Sequence, residues 1–201
     1  MLIPLALFAV AVMSPDEPEY EVLQQTDAFE LRAYQPLVVA ETRVEGDFGD
    51  VSSPAFSRLV GYIQGENGGE RNLPMTAPVN QQPVDGADTW LFQFIMAKEY
   101  VLQMLPQPMD ADVTLRQVPA RLVAAHRYSG GWGEQKYRAN EQALLDALQR
   151  ERLTPVGEPI FARYNAPFVP GFLRRNEVLM EIDPQSVPAP SAEGFSADPG
   201  R

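Results

Sequence analysis

Apolar and polar residues alternate over several short stretches of the chain and recur every three to four residues over two longer ones, predicting strands and helices respectively. Within 30–50 and again within 114–134, a short strand, a tight turn at Gln35-Pro36 or Pro119-Ala120, and a longer strand of β-branched and small apolar residues follow one another. A glycine break and a helix come next. In the first helix Ser53 is the expected N-cap and Pro54 the first helical position, with Ala55, Phe56, Leu59, Val60 and Ile63 on one face. In the second, Tyr137, Leu144, Leu145 and Leu148 form the apolar face before Thr154-Pro155 stops it. Two further strands follow each helix, at 75–80 and 89–96 and at 159–164 and 176–182.

The two halves carry one pattern. Laying ELRAYQPLVVAETRVEGDFGD (30–50) over TLRQVPARLVAAHRYSGGWGE (114–134) at a constant offset of 84 gives seven identities in 21 positions without a gap. Ordinary composition gives about one or two by chance. Gly46/Gly130 and Gly49/Gly133 are among the identical pairs, and Phe48/Trp132 is a similar one. The chain therefore reads as an internal repeat, 30–96 and 114–182, of strand–strand–helix–strand–strand units. Each helix must bury its stripe on a sheet, so the expected fold is α+β: one curved antiparallel-rich sheet carrying both helices with pseudo-twofold symmetry. The meeting of the halves is the expected place for a small-molecule cleft.

Composition narrows the chemistry. The 201 residues are 45% hydrophobic and 21% charged, ordinary for a folded domain. With no cysteine and one histidine, zinc ribbons, iron–sulfur clusters and thiol chemistry are excluded. No Gly-x-Ser-x-Gly elbow accompanies His126, and no carboxylate pair is singled out by spacing, so the chain reads as no enzyme. A net charge of −11 without a basic block argues against nucleic acid. Leu2 to Met13 is apolar but shorter than the roughly 18 residues a spanning helix needs. Residues 1–18 read as an apolar leader, an export signal peptide or anchor-like segment, and a linker, which favours a periplasmic or secreted address over a cytoplasmic one; an N-terminal strand or a mis-set start codon is the alternative. Residues 19–183 form the domain, expected to be monomeric, and the Pro/Ala/Ser/Gly-rich 184–201 reads as a disordered tail.

Several landmarks carry a resemblance: YEVLQQTDAFELRAYQP (20–36), YIQGEN (62–67), MTAPV (75–79), LPQPMDADVTLRQVP (105–119), HRYSGGW (126–132), YNAPF (164–168) and RRNEV (174–178). In this order they resemble the SOUL, or haem-binding protein, family over about 19–183, MTAPV being the most specific. The resemblance implies a distorted barrel-like sheet with two helices and non-catalytic binding of haem or a related tetrapyrrole, as carrier or buffer. By resemblance, the first helix supplies an apolar wall, here Phe56, Leu59, Val60 and Ile63, with plain core packing the alternative for such a face. Arg58, Arg174 and Arg175 are the implied propionate partners.

MTAPV holds no reactive group. It reads as a structural corner, with Thr76 bonding back to the turn and Pro78 at a sheet edge, and Met75 as its candidate ligand contact. Axial ligation is open: where some members carry a histidine inside the motif reading ELRAYQP here, this chain has Ala33. His126, on a strand face with Leu122, Ala124 and Tyr128, is a candidate iron ligand or a satisfied interior residue, and Tyr34 is a candidate oxygen ligand. The alternative function is a free-standing small-molecule sensor or protein-interaction module, since effector-binding domains of bacterial regulators are built from similar units.

Overall fold

Strand–strand–helix–strand–strand occurs twice in the computed structural model, which describes residues 16–84 and 88–188. The expected leader, apart from its last residues, and the tail beyond 188 lie outside the described residues. The first unit comprises β2 (Glu30–Tyr34), β3 (Leu37–Glu45), α1 (Ser52–Ile63), β4 (Val79–Pro83) and β5 (Thr89–Ile95). The second comprises β6 (Val113–Val118), β7 (Arg121–Tyr128), α2 (Glu134–Glu151), β8 (Pro155–Arg163) and β9 (Asn176–Ile182). An additional strand, β1 (Tyr20–Gln25), pairs antiparallel with β2 and was not anticipated from the pattern.

All nine strands join one curled antiparallel sheet, in the order β1-β2-β7-β9-β8-β4-β5-β3-β6. Exchanging the units maps the order from β2 to β6 onto itself. Register follows: Leu31 pairs with Ala124, and adding 84 to one number while subtracting it from the other gives Leu115 and Ala40, also a pair. Val79 and Arg163 are equivalents at that offset and pair with each other, so the pseudo-axis passes between them, at the β4–β8 seam. Gly46 and Gly130, which end the long strands, have φ of 138° and 131°, a region that side chains disfavour.

Three local expectations need correction. Val51, with no side-chain cap, precedes α1, so Ser52 and Ser53 are its first helical residues and Pro54 sits third, still within the turn whose N–H groups lack partners. The strand expected at 75–80 begins only at Val79, because Thr76 Oγ1 donates to Ile95 O and Ala77 N to Asp16 O instead of joining a ladder. Pro78 follows a cis peptide bond just ahead of β4, an interior strand and no sheet edge. Beyond Asp183, moreover, the chain continues in a 3-10 turn at Pro184–Ser186, with Ser186 Oγ accepting from Thr154 N at 3.0 Å.

Both helices lie on one face of the sheet. Beneath them Phe48 and Trp90 of the first unit meet Tyr137 and Phe161 of the second, with Tyr137 stacked on Phe161 at 4.7 Å and Phe48 edge-on to the other rings at 5.1 to 6.2 Å. On the opposite face a buried ion network ties the halves together. Arg32 of β2 grips Glu177 of β9 with bonds of 2.7 and 3.1 Å, while Arg175 and the Tyr164 hydroxyl also donate to Glu177. Burial alone would raise the Glu177 carboxyl, but bonds from Arg32 and the charges of Arg32 and Arg175 outweigh it and hold the group below the usual carboxylate range.

A depressed carboxyl stabilises the fold above its ordinary value of 4.5, and that contribution is lost as pH falls below it. Urea denaturation should therefore show stability dropping below about pH 4.5 in the parent. Glu177→Gln, which removes the buried carboxylate that Arg32, Arg175 and Tyr164 share and leaves the two guanidiniums only Glu30 and Glu17, should lower stability at pH 7 by about 3–5 kcal/mol and flatten the acid limb.

Candidate functional site

A cleft of about 800 Å³ opens directly over the β4–β8 seam, within the size range of small-molecule sites. One wall is the N-terminal half of α1 with Ser52, Ser53 and Phe56; another is the MTAPV segment with Met75, Thr76, Ala77 and Val79. Tyr164 to Phe168, in the β8–β9 loop, close the third side. Phe48, Phe92 and Trp132 also line it, so the repeat-equivalent aromatics Phe48 and Trp132 face one space from the two units.

The cleft has one charge. Arg163 is the single cation among its described lining residues, and none of those residues is a carboxylate. Its partners are neutral oxygens: Nε donates to Tyr137 Oη at 2.8 Å, Nη1 and Nη2 lie 3.3 Å from Ser52 Oγ, and Nη2 donates to Gln81 Oε1. The guanidinium centre also lies 5.1 Å from the Trp132 ring centroid. Beside it, the first turn of α1 has neither acidic residue nor side-chain cap. Helix N–H dipoles and an uncompensated guanidinium thus give an otherwise greasy space a positive pole. Burial raises Tyr164 and, outweighing Arg163, raises Tyr137, so both phenols stay protonated at neutral pH.

The model of the SOUL heme-binding protein family matches residues 15–181. The chain belongs to the SOUL heme-binding protein family. Among curated SOUL relatives, mouse Heme-binding protein 2 is 28% identical over 167 residues, covering 80% of each chain. Human Heme-binding protein 2 is 29% identical over 165 residues, 78% of each chain. The SOUL fold recurs at low identity elsewhere. The EcmrR C-terminal domain superposes with a TM-score of 0.58 at 11% identity, over 82% of this chain and 98% of that one. A hydrolase from Listeria innocua gives 0.55 at 8% identity, over 80% and 94%.

Measured against the expectations drawn from the SOUL landmarks, the structure gathers some residues and disperses others. Phe56 and Met75 line the cleft, 40% and 45% exposed. Leu59 and Ile63 are buried in the core under α1, and Val60 packs partly buried against it, so these belong to packing and not to the described cleft lining. Arg58 is turned to the other side of the helix, in an ion pair with Asp112 at 3.1 Å. Arg175 is held by Glu177 and Glu17, and Arg174 donates to Val169 O and Pro167 O while lying 4.3 Å from the Trp132 centroid; neither lines the cleft.

Both nitrogens of His126 are already engaged, Nδ1 at 2.6 Å from Ala28 O and Nε2 at 3.1 Å from Asn140 Oδ1, away from the cleft lining. Tyr34 is buried, with its hydroxyl accepting from Arg32 at 3.3 Å. Sequence reasoning missed Arg163, Trp132 and Phe48 as cleft residues. The repeat alignment held the signal, in paired aromatics at Phe48/Trp132 and in the Val79/Arg163 mismatch that leaves one cation near the axis.

The division between core and cleft on α1 is measurable. Leu59→Ala should cost about 2–5 kcal/mol in a chemical denaturation curve, the range for emptying a core position. Phe56→Ser, at a half-open wall, should cost less than about 1.5 kcal/mol, and equal losses at the two sites would contradict the division.

Proposed function

We propose that the cleft binds haem or a related tetrapyrrole non-covalently and without chemistry of its own, making the protein a carrier or buffer. The observation that carries this is an apolar space of about 800 Å³ with a single uncompensated cation at its floor, Arg163. Family membership supports it, as do the names of the mouse and human relatives. Haem asks for an apolar slot, a cation for a propionate and, optionally, an axial donor. Phe56, Phe92, Val79 and Phe168 supply the walls, Arg163 with the first turn of α1 the anion site, and the Met75 thioether the one soft donor among the described lining residues. Bound there, haem would bring its own iron chemistry; the chain's part is to desolvate, orient and shield it. Ser52 and Ser53 present hydroxyls, but no imidazole or carboxylate among the described lining residues could activate them, which favours binding over hydrolysis.

Titrating tag-free protein with haemin should give a saturable, sharpened Soret band. Phe56→Asp should abolish it, since a carboxylate against an apolar ring is costly to desolvate. Arg163→Gln should weaken haemin about tenfold, the loss of one charge-assisted contact, while leaving the affinity for haemin dimethyl ester unchanged. His126→Ala should keep the ligated spectrum, and Met75→Leu should change it if the thioether reaches the iron. A titration that overlays the haemin blank rejects the proposal; thermal stabilisation by other amphipathic anions, with indifference to haemin, would replace it by the sensor reading.

A further inference from the structure

The loop between β8 and β9 holds three large apolar side chains in water: Phe168, Phe172 and Leu173 are 88%, 77% and 63% exposed. Single exposed hydrophobics are ordinary, but three within six residues on one loop are not. Nor is the exposure a product of slack chain. Pro167 and Pro170 restrict the backbone, Val169 N bonds Ala166 O at 3.1 Å and Leu173 N bonds Pro170 O at 2.9 Å. Arg174 clips the loop from below, donating to the carbonyls of Val169 and Pro167 while its guanidinium rests on Trp132. At Gly171 the loop lies against the backbone of Gly130 and Gly131, which stands 3.5 Å from the position of a Cβ, an ordinary van der Waals contact.

From these contacts and from where the chain enters the described fold, we infer that residues 168–173 are a docking tip for the interfacial zone of a lipid bilayer, and that they seat the mouth of the cleft against it. Phe168 is itself part of the cleft rim, with Met75 and Phe56 lining the other walls. The described chain begins at Asp16, whose carbonyl accepts from Ala77 N at 2.9 Å, next to Met75. Ser14 and Pro15 alone separate that point from the apolar run Leu2–Met13. In sequence, an apolar run therefore directly precedes the residue that bonds the MTAPV wall, and the run is shorter than a bilayer span. With a net charge of −11, attraction to anionic headgroups is not the driving term; insertion of Phe and Leu side chains is. Docking stands apart from what the cleft holds. If the tetrapyrrole reading holds, a ligand would pass between lipid and cleft without crossing water.

The test uses the full chain with Phe172→Trp, set against the parent for background from Trp90 and Trp132. With phosphatidylcholine vesicles the added indole should shift to the blue and be quenched by brominated phosphatidylcholine. Adding Leu173→Ser, at a position that like Phe172 is not part of the cleft lining, should weaken partitioning about tenfold with unchanged melting temperature, since one apolar side chain loses its burial. Three results overturn the inference: no vesicle association; vesicle association in which the indole stays in water, so that another segment does the holding; or a blue shift that rises with protein concentration in the absence of lipid, which assigns the tip to a second copy. Haemin affinity of the same variants, measured without lipid, keeps a failure of docking distinct from a failure of the cleft.

Discussion

Two helices cannot roof nine strands. At the usual strand spacing the sheet measures roughly 38 Å across its curve, whereas two helices side by side cover about 20 Å. Each helix is delivered by its own unit and packs on its own half, α1 against β3, β5 and β6 and α2 against β7, β8 and β9. What remains between them is the strip along the β4–β8 seam, and the cleft lies there. Its place is thus a consequence of building a sheet from two units and covering each separately.

An uncovered seam would expose the sheet's interior to water unless something sealed its floor. The Phe48, Trp90, Tyr137 and Phe161 cluster does so, drawing two rings from each half. Symmetry would then give a neutral cleft, but Val79 and Arg163 occupy equivalent places across the pseudo-axis and only one is charged. The guanidinium stays there because Tyr137, Ser52 and Gln81 solvate it without neutralising it. By contrast Arg32 and Arg175, on the other face, are spent on Glu177, and Arg32 thereby ties β2 to β9. One face of the sheet therefore carries compensated charge for stability and the other an uncompensated charge available to a ligand.

The same frame accommodates different work. The EcmrR domain and the Listeria hydrolase share its path at about one identical residue in ten, which establishes the frame and nothing about chemistry. In this chain particular groups fill the seam and the loops around it. Here those are an aromatic floor, one cation, a thioether on the rim, and a β8–β9 loop that presents phenylalanines outward.

Periodicity and self-similarity were enough to establish the order of elements, the repeat at an offset of 84, the antiparallel-rich sheet and the family landmarks, because those are local or pairwise regularities written into adjacent residues. Phe56 and Met75 were also legible, one from a helix stripe and one from a motif. The division of the α1 stripe between core and cleft was not: Leu59 and Phe56 have the same hydrophobic character and differ only in which neighbour each meets. The cations were harder still. Arg58, Arg163, Arg174 and Arg175 carry the same group, and what makes one of them available is whether a carboxylate or a carbonyl has already claimed it across 2 to 158 positions of chain. Sequence determined which side chains exist and which lie on one element; only the tertiary structure decided which remain unpaired, because pairing depends on distances that close when the two halves meet.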